Sequence, residues 1–221
     1  MSTSRYRDPQ PMASNQSDYP VQFSVDYPDQ PLNRLTTLFR LIMVIPILIV
    51  AALIPGFVNS GQASGSDQAA ISIPLLWLPL VLILLFRHKY PRWWFDWNLE
   101  LSRFVYRIEV YFLALRDEYP STDEHQAVHL DIEYPNAETD LNRWLPLVKW
   151  FLAIPHYIVL VVLSILAFIA VILGWIMVVI TAEYPRALFD FIVGVIRYSA
   201  RVQAYAFILT TDRYPPFRLD P

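Results

Sequence analysis

Between Trp150 and Thr181 the chain runs for 32 residues with no ionisable side chain except His156. A run of 18 or more apolar residues reads as a candidate transmembrane helix. Leu41 to Phe57 and Gln68 to Phe86 are also free of charge. These stretches explain why 55% of the 221 residues are apolar and only 17% charged, against about 25% charged in ordinary globular domains. Mean hydropathy is correspondingly high, at +0.35. The expectation is an integral membrane protein.

Other classes are argued against by what the chain lacks. A net charge of −3 with no basic run gives nucleic acid nothing to hold. Without cysteine there is no thiolate chemistry, iron–sulfur cluster or cysteine zinc site. Only five glycines are present, and no GxSxG, P-loop or GxGxxG pattern. Acidic residues in mid-span, the mark of ion-coupled transport, are missing. No cofactor is expected, and no enzyme. The first 20 residues are polar and lack the apolar core of a signal peptide, so insertion is expected to rely on an internal helix.

The sequence also repeats itself. "DYPDQPLNRLTTLFRLIMVIP" (26–46) aligns with "EYPNAETDLNRWLPLVKWFLAIP" (133–155), placing Arg40 at Lys149 and Pro46 at Pro155. Tyr90-Pro91-Arg92, Phe95-Asp96, Arg103, Arg107 and Tyr111 recur 94 positions later, at Tyr184-Pro185-Arg186, Phe189-Asp190, Arg197, Arg201 and Tyr205. Self-similarity of this kind predicts a duplicated unit. The chain then divides into a tail (1–20), a first unit (21–120) and a second (121–221).

Each unit opens on an alternating segment, 21–27 or 127–134, with the period of a strand. Transmembrane helices are expected at about 36–57 and 70–87, and again at about 144–166 and 168–183. The first pair is joined by the polar loop 58–70. The second pair needs a tight turn within 166–174, because roughly 38 apolar residues in one helix would approach twice the bilayer thickness. Short β-prone pieces such as "FILTT" (207–211) close the units. No Lys or Arg lies in either hairpin tip, so the positive-inside rule places both termini in the cytoplasm. The fold class expected is all-α with minor β: a multi-pass protein of four spans, its two units related by an axis along the membrane normal.

The segments 92–115 and 186–208 carry one charged stripe each. Asp96, Glu100, Arg103 and Arg107 fall at i, i+4, i+7 and i+11 of a helix; Asp190, Arg197 and Arg201 repeat the stripe with Gly194 in place of the glutamate. Carrying four charges through the membrane would cost about 2.5–3.5 kcal/mol each near its centre. These helices are therefore expected in the plane of the cytoplasmic interface, with Trp93, Trp94 and Trp97 as headgroup-level anchors. The stripe reads either as a wetted face or as a paired site that grips anionic lipid headgroups or a partner's carboxylates.

Two histidines, His125 and His129, sit four apart beside Asp123 and Glu124, but in an alternating segment where that spacing spans about 13 Å. No metal site is expected there. His156 reads as structural or interfacial, since the first unit has Ile47 in its place. Pro46 and Pro155 are expected to kink their helices. The tyrosine–proline pairs after a charged residue at 26–28, 89–91, 118–120, 133–135, 183–185 and 213–215 read as turns at which tyrosine anchors the chain as it leaves membrane or strand.

The stretch 147–217, from "LVKWFLAIPHYIVLVV" to "AYAFILTTDRYPPF", resembles the bacterial membrane proteins of the DUF4389 family. That resemblance implies a bacterial inner-membrane location and carries no established activity or catalytic residue. The function expected is a non-enzymatic scaffold or accessory subunit of a larger membrane complex. Its partners would be membrane lipids and other subunits, or further copies of itself. The alternative is a lipid or hydrophobic-ligand binding or transport protein, its kinked helices forming the groove.

Overall fold

A computed structural model of the chain describes residues 19–53, 80–122, 124 and 126–221. Strand β1 (Val21–Val25) pairs antiparallel with β2 (Val128–Ile132), with Val21 opposite Ile132, Phe23 opposite Leu130 and Val25 opposite Val128. Alternation works as the sequence predicts: Val21, Phe23, Val128 and Leu130 are buried, while Gln22, Ser24, His129 and Asp131 face out. The helices are α1 (Arg34–Met43), α2 (Ile45–Leu53), α3 (of which 80–87 are described), α4 (Arg92–Phe112), the short α5 (Ala137–Asp140), α6 (Leu145–Leu152), α7 (Ile154–Thr181) and α8 (Arg186–Gln203). A π-helical turn, Ala204–Ile208, ends α8. The protein is thus mostly helical with a small sheet.

Three layers stack. The sheet lies on α4 and α8, and these lie on the apolar helices. Val44, Ile47 and Ala51 pack on Phe104, Ile108 and Tyr111 of α4, while Ala170, Val171 and Val178 of α7 join Phe189, Ile192, Val193 and Ile196 of α8. Helix α8 is apolar on most of its circumference, and such a helix is stable only inside. It is accordingly the middle layer, with ten buried residues from Phe189 to Val202. The expected extent of both stripe helices is close to the observed one, but α8 is enclosed by protein rather than lying on headgroups.

Three further expectations are corrected. No turn interrupts 166–174: α7 is one helix of 28 residues. "LAFIAVILG" holds no Pro, Asn or Asp to build a hairpin and one glycine only at its end, whereas 58–70 is rich in turn residues. Among the described residues one helical stretch, Leu145–Thr181, is long and apolar enough to cross a membrane; Arg34–Arg40 and Ile45–Ala51 would make a second only as a pair bent by 51°. The bends fall at Val44 and Ala153, so Pro46 and Pro155 sit in the first turn of the following helix, where a missing N–H costs nothing. Finally, 207–211 forms no strand, because the π-turn and a left-handed Leu209 (φ 61°) occupy it. The tail 1–18, the loop 58–70 and most of the expected span 70–87 lie outside the described residues, as does His125.

Candidate functional site

A two-stranded sheet has two open edges whose outward carbonyls need partners. Arg197 Nε donates to the Phe23 carbonyl (2.8 Å) and Arg103 Nε to the Leu130 carbonyl (2.9 Å). These are opposed residues of the ladder, so the equivalent arginines of α4 and α8 cap its two edges at the same level. The stripes do converge on the sheet. What they hold is main chain.

The rest of each stripe follows suit. Arg197 Nη1 donates to the Leu219 carbonyl (2.7 Å), and Arg201, fully buried, reaches the carbonyls of Arg218 (3.3 Å) and Asp220 (2.9 Å). Burial lowers the pKa of both guanidiniums, Arg201 further so by its neighbours Arg197 and Arg218. On α4, Arg103 also pairs with Glu100 (2.7 Å) and Asp131 (3.1 Å), and Arg107 donates to the Ser121 carbonyl (2.7 Å). Gly194 explains the missing glutamate: a Cβ there would stand 3.0 Å from Leu219 Cβ and 3.2 Å from its carbonyl oxygen. The segment 218–220 thus lies where the first stripe carries a side chain. Asp96 and Asp190 are exposed. Trp93 and Trp97 are 68% and 51% exposed, whereas Trp94 turns half inward against the cluster around Tyr90 and Phe95.

A second set of contacts recurs between the halves, and periodicity did not reveal it. Asp117 receives the backbone N–H of Asn33 (2.6 Å) and pairs with Arg40, which is fully buried and lies over the Tyr111 ring. Asp212 receives the N–H of Asn142 (2.5 Å) and pairs with Lys149 (2.6 Å), also fully buried and over the Tyr205 ring. The signal was present in the recurring "DEYP" and "DRYP". The tyrosines of the two Tyr-Pro-Arg corners are likewise internal: Tyr90 and Tyr184 are 2% exposed, whereas Tyr119, Tyr134 and Tyr214 are exposed. Tyr27 Oη donates to the Tyr184 carbonyl (2.5 Å), and Tyr134 Oη to the Tyr90 carbonyl (2.6 Å), so each corner is held by the tyrosine that follows the other half's strand. His129 faces Asp26 (3.0 Å) on the outer sheet surface, and His156 is buried against Tyr198 (2.5 Å) and Phe217.

A cleft of about 440 Å³ between α4 and β2 is lined by Arg103, Arg107 and His129 together with Glu100, Glu124 and Asp131. Its described charges nearly cancel, and Arg103 already directs Nε, Nη1 and Nη2 at Leu130, Glu100 and Asp131. Among the described residues no group of three His, Asp or Glu is gathered as metal ligands.

Fold and contacts define an α-helical protein with an apolar outer layer and an arginine-capped two-stranded sheet. Residues 144–218, from α6 through α8 to the segment over Gly194, match the family model of the domain of unknown function DUF4389, so the resemblance read from the sequence holds there. No curated protein and no solved structure matches the chain.

Proposed function

We propose that this chain is a non-enzymatic membrane scaffold or accessory subunit, built from a unit written twice and seated in the bacterial inner membrane with its sheet in the cytoplasm. The observation that carries the reading is the division of its surface. Leu35, Leu38, Ile42, Ile49, Ile158, Val161, Ile165, Phe168, Ile172 and Ile180 of the outer layer are all more than 40% exposed. Such a continuous apolar face is far beyond the isolated exposed residues of soluble monomers. On the other side the buried charges serve the backbone, which is what a structural part requires. The paired contacts of Arg103 with Arg197, Arg40 with Lys149 and Tyr27 with Tyr134 support the duplicated unit.

Lipid or ligand handling is the weaker reading, since Arg197 and Arg201 have carbonyl partners already. Native mass spectrometry of the chain extracted gently from its own membrane tests the proposal. A defined complex with other polypeptides is expected. A lone protomer that retains stoichiometric anionic lipid, and loses it on Arg107→Ala, would replace the scaffold reading with the lipid one.

A further inference from the structure

The orientation of α7 is constrained by what it packs against. Its contacts with α8 and the π-turn run along its length in antiparallel sense: His156 and Tyr157 meet Tyr198 and Phe207 at one end, and Gly174 meets Tyr184 near the other. The face of α8 away from α7 carries Arg197 and Arg201, the sheet edge, and beyond them the exposed Gln22, Ser24, His129 and Asp131. Exposed charges flank both ends of the pair, Arg143 and Arg213 at one, Glu183 and Asp190 at the other.

A helix of 28 residues is about 42 Å long and could cross a hydrocarbon core of about 30 Å. If α7 crossed upright, α8 and the sheet would be drawn in beside it. Their exposed charges would then enter a medium that does not tolerate them. Laid flat, the same structure meets no such conflict. The small residues Ala170 and Gly174 face α8, the apolar remainder is open among the described residues, and the exposed charges named above can stay on the water side. We infer that α7 lies lengthwise in one leaflet, parallel to the membrane plane, and that its partner is the phospholipid acyl layer of that leaflet. This orientation also sets the approximate symmetry axis of the β1–β2 pair, which passes between Phe23 and Leu130, along the membrane normal.

The inference rests on the membrane reading above, and one experiment separates the two. The chain has no cysteine, so single cysteines are clean probes. Val161→Cys, Phe168→Cys and Val179→Cys fall on one stripe of α7, about 27 Å from first to last, and all three positions are exposed. Each full-length variant is labelled with bimane and reconstituted in phosphatidylethanolamine–phosphatidylglycerol vesicles. Quenching by lipids spin-labelled at shallow and deep acyl positions is then compared. Equal shallow-to-deep ratios at the three sites are expected. A label at 168 at a distinctly different depth from those at 161 and 179 overturns the flat placement: deeper if α7 crosses upright, nearer the far headgroups if it folds into a spanning hairpin.

Arg143→Cys and Glu183→Cys, both on exposed residues, should react with an impermeant maleimide from the same side; reaction from opposite sides also overturns it. Release of the unmodified chain from its native membrane by carbonate would instead defeat the membrane reading itself.

Discussion

Helix α7 touches α8's leading corner at one point where no side chain fits, and Gly174→Ala probes it. An added Cβ would stand 2.2 Å from Cζ and Oη of Tyr184, against about 3.5–4.0 Å for an ordinary contact. Tyr184 cannot swing away freely: it is 2% exposed, its ring meets Phe189 edge-on, and its carbonyl holds Tyr27. Alanine is worth about 1 kcal/mol over glycine inside a helix. Overpacking of this severity belongs at the upper end of its range, about 3 kcal/mol. The net loss is about 2 kcal/mol, or a fall in thermal midpoint of roughly 4–8 °C for a chain of this length. The assay is thermal unfolding in mild detergent, followed by near-ultraviolet circular dichroism. Tyr184→Leu costs stability alone, but in the double variant the alanine clash is gone, so the cycle should show coupling of about 1–2 kcal/mol. A Gly174→Ala chain as stable as the parent, or additive effects, would refute the close approach of α7 to Tyr184.

Lys149→Met strands Asp212 and should cost about 3–5 kcal/mol in chemical unfolding, whereas Lys149→Arg, which copies Arg40, should keep most of the stability. Gly194→Ala should lift the segment 218–220 from α8, seen as faster cleavage there in limited proteolysis with the rest of the chain intact. Burial pushes the Glu109 carboxyl up to about 7, where the equivalent residue is the neutral Gln203. The folded chain then binds more protons than the unfolded one between about pH 4.5 and 7, so this group makes stability fall as pH rises through that window. Glu109→Gln should flatten the pH dependence of unfolding there and raise stability at pH 8.

Local signals carried much of the fold. Alternation located β1 and β2, and Tyr-Pro-Arg marked where α4 and α8 begin, since proline fixes the extended residue before each helix. The charges at i, i+4, i+7 and i+11 placed the stripes on one helical face. That periodicity is silent on what the face meets. A line of arginines looks the same whether it meets water, phosphate or carbonyls, and the carbonyls here belong to strands and a segment distant in sequence. Length misled at α7: a span limit derived from membrane thickness predicted a hairpin, although 166–174 contains no turn former but Gly174 at its end. The buried Lys149 was legible only as the counterpart of Arg40, because its partner Asp212 lies 63 residues away in a motif that reads as a turn.

The strands lie across the halves, β1 against α8 and β2 against α4. Each half packs apolar helices on its own stripe helix, but neither can complete the sheet layer alone. During synthesis β1 must wait for β2 and then for α8, with Phe23 able to meet only Tyr106 of its own half, until almost the entire chain has been made. A gene carrying one half alone would encode an unfinished protein, and its shortest route to completion is to trade strands with a second copy of itself.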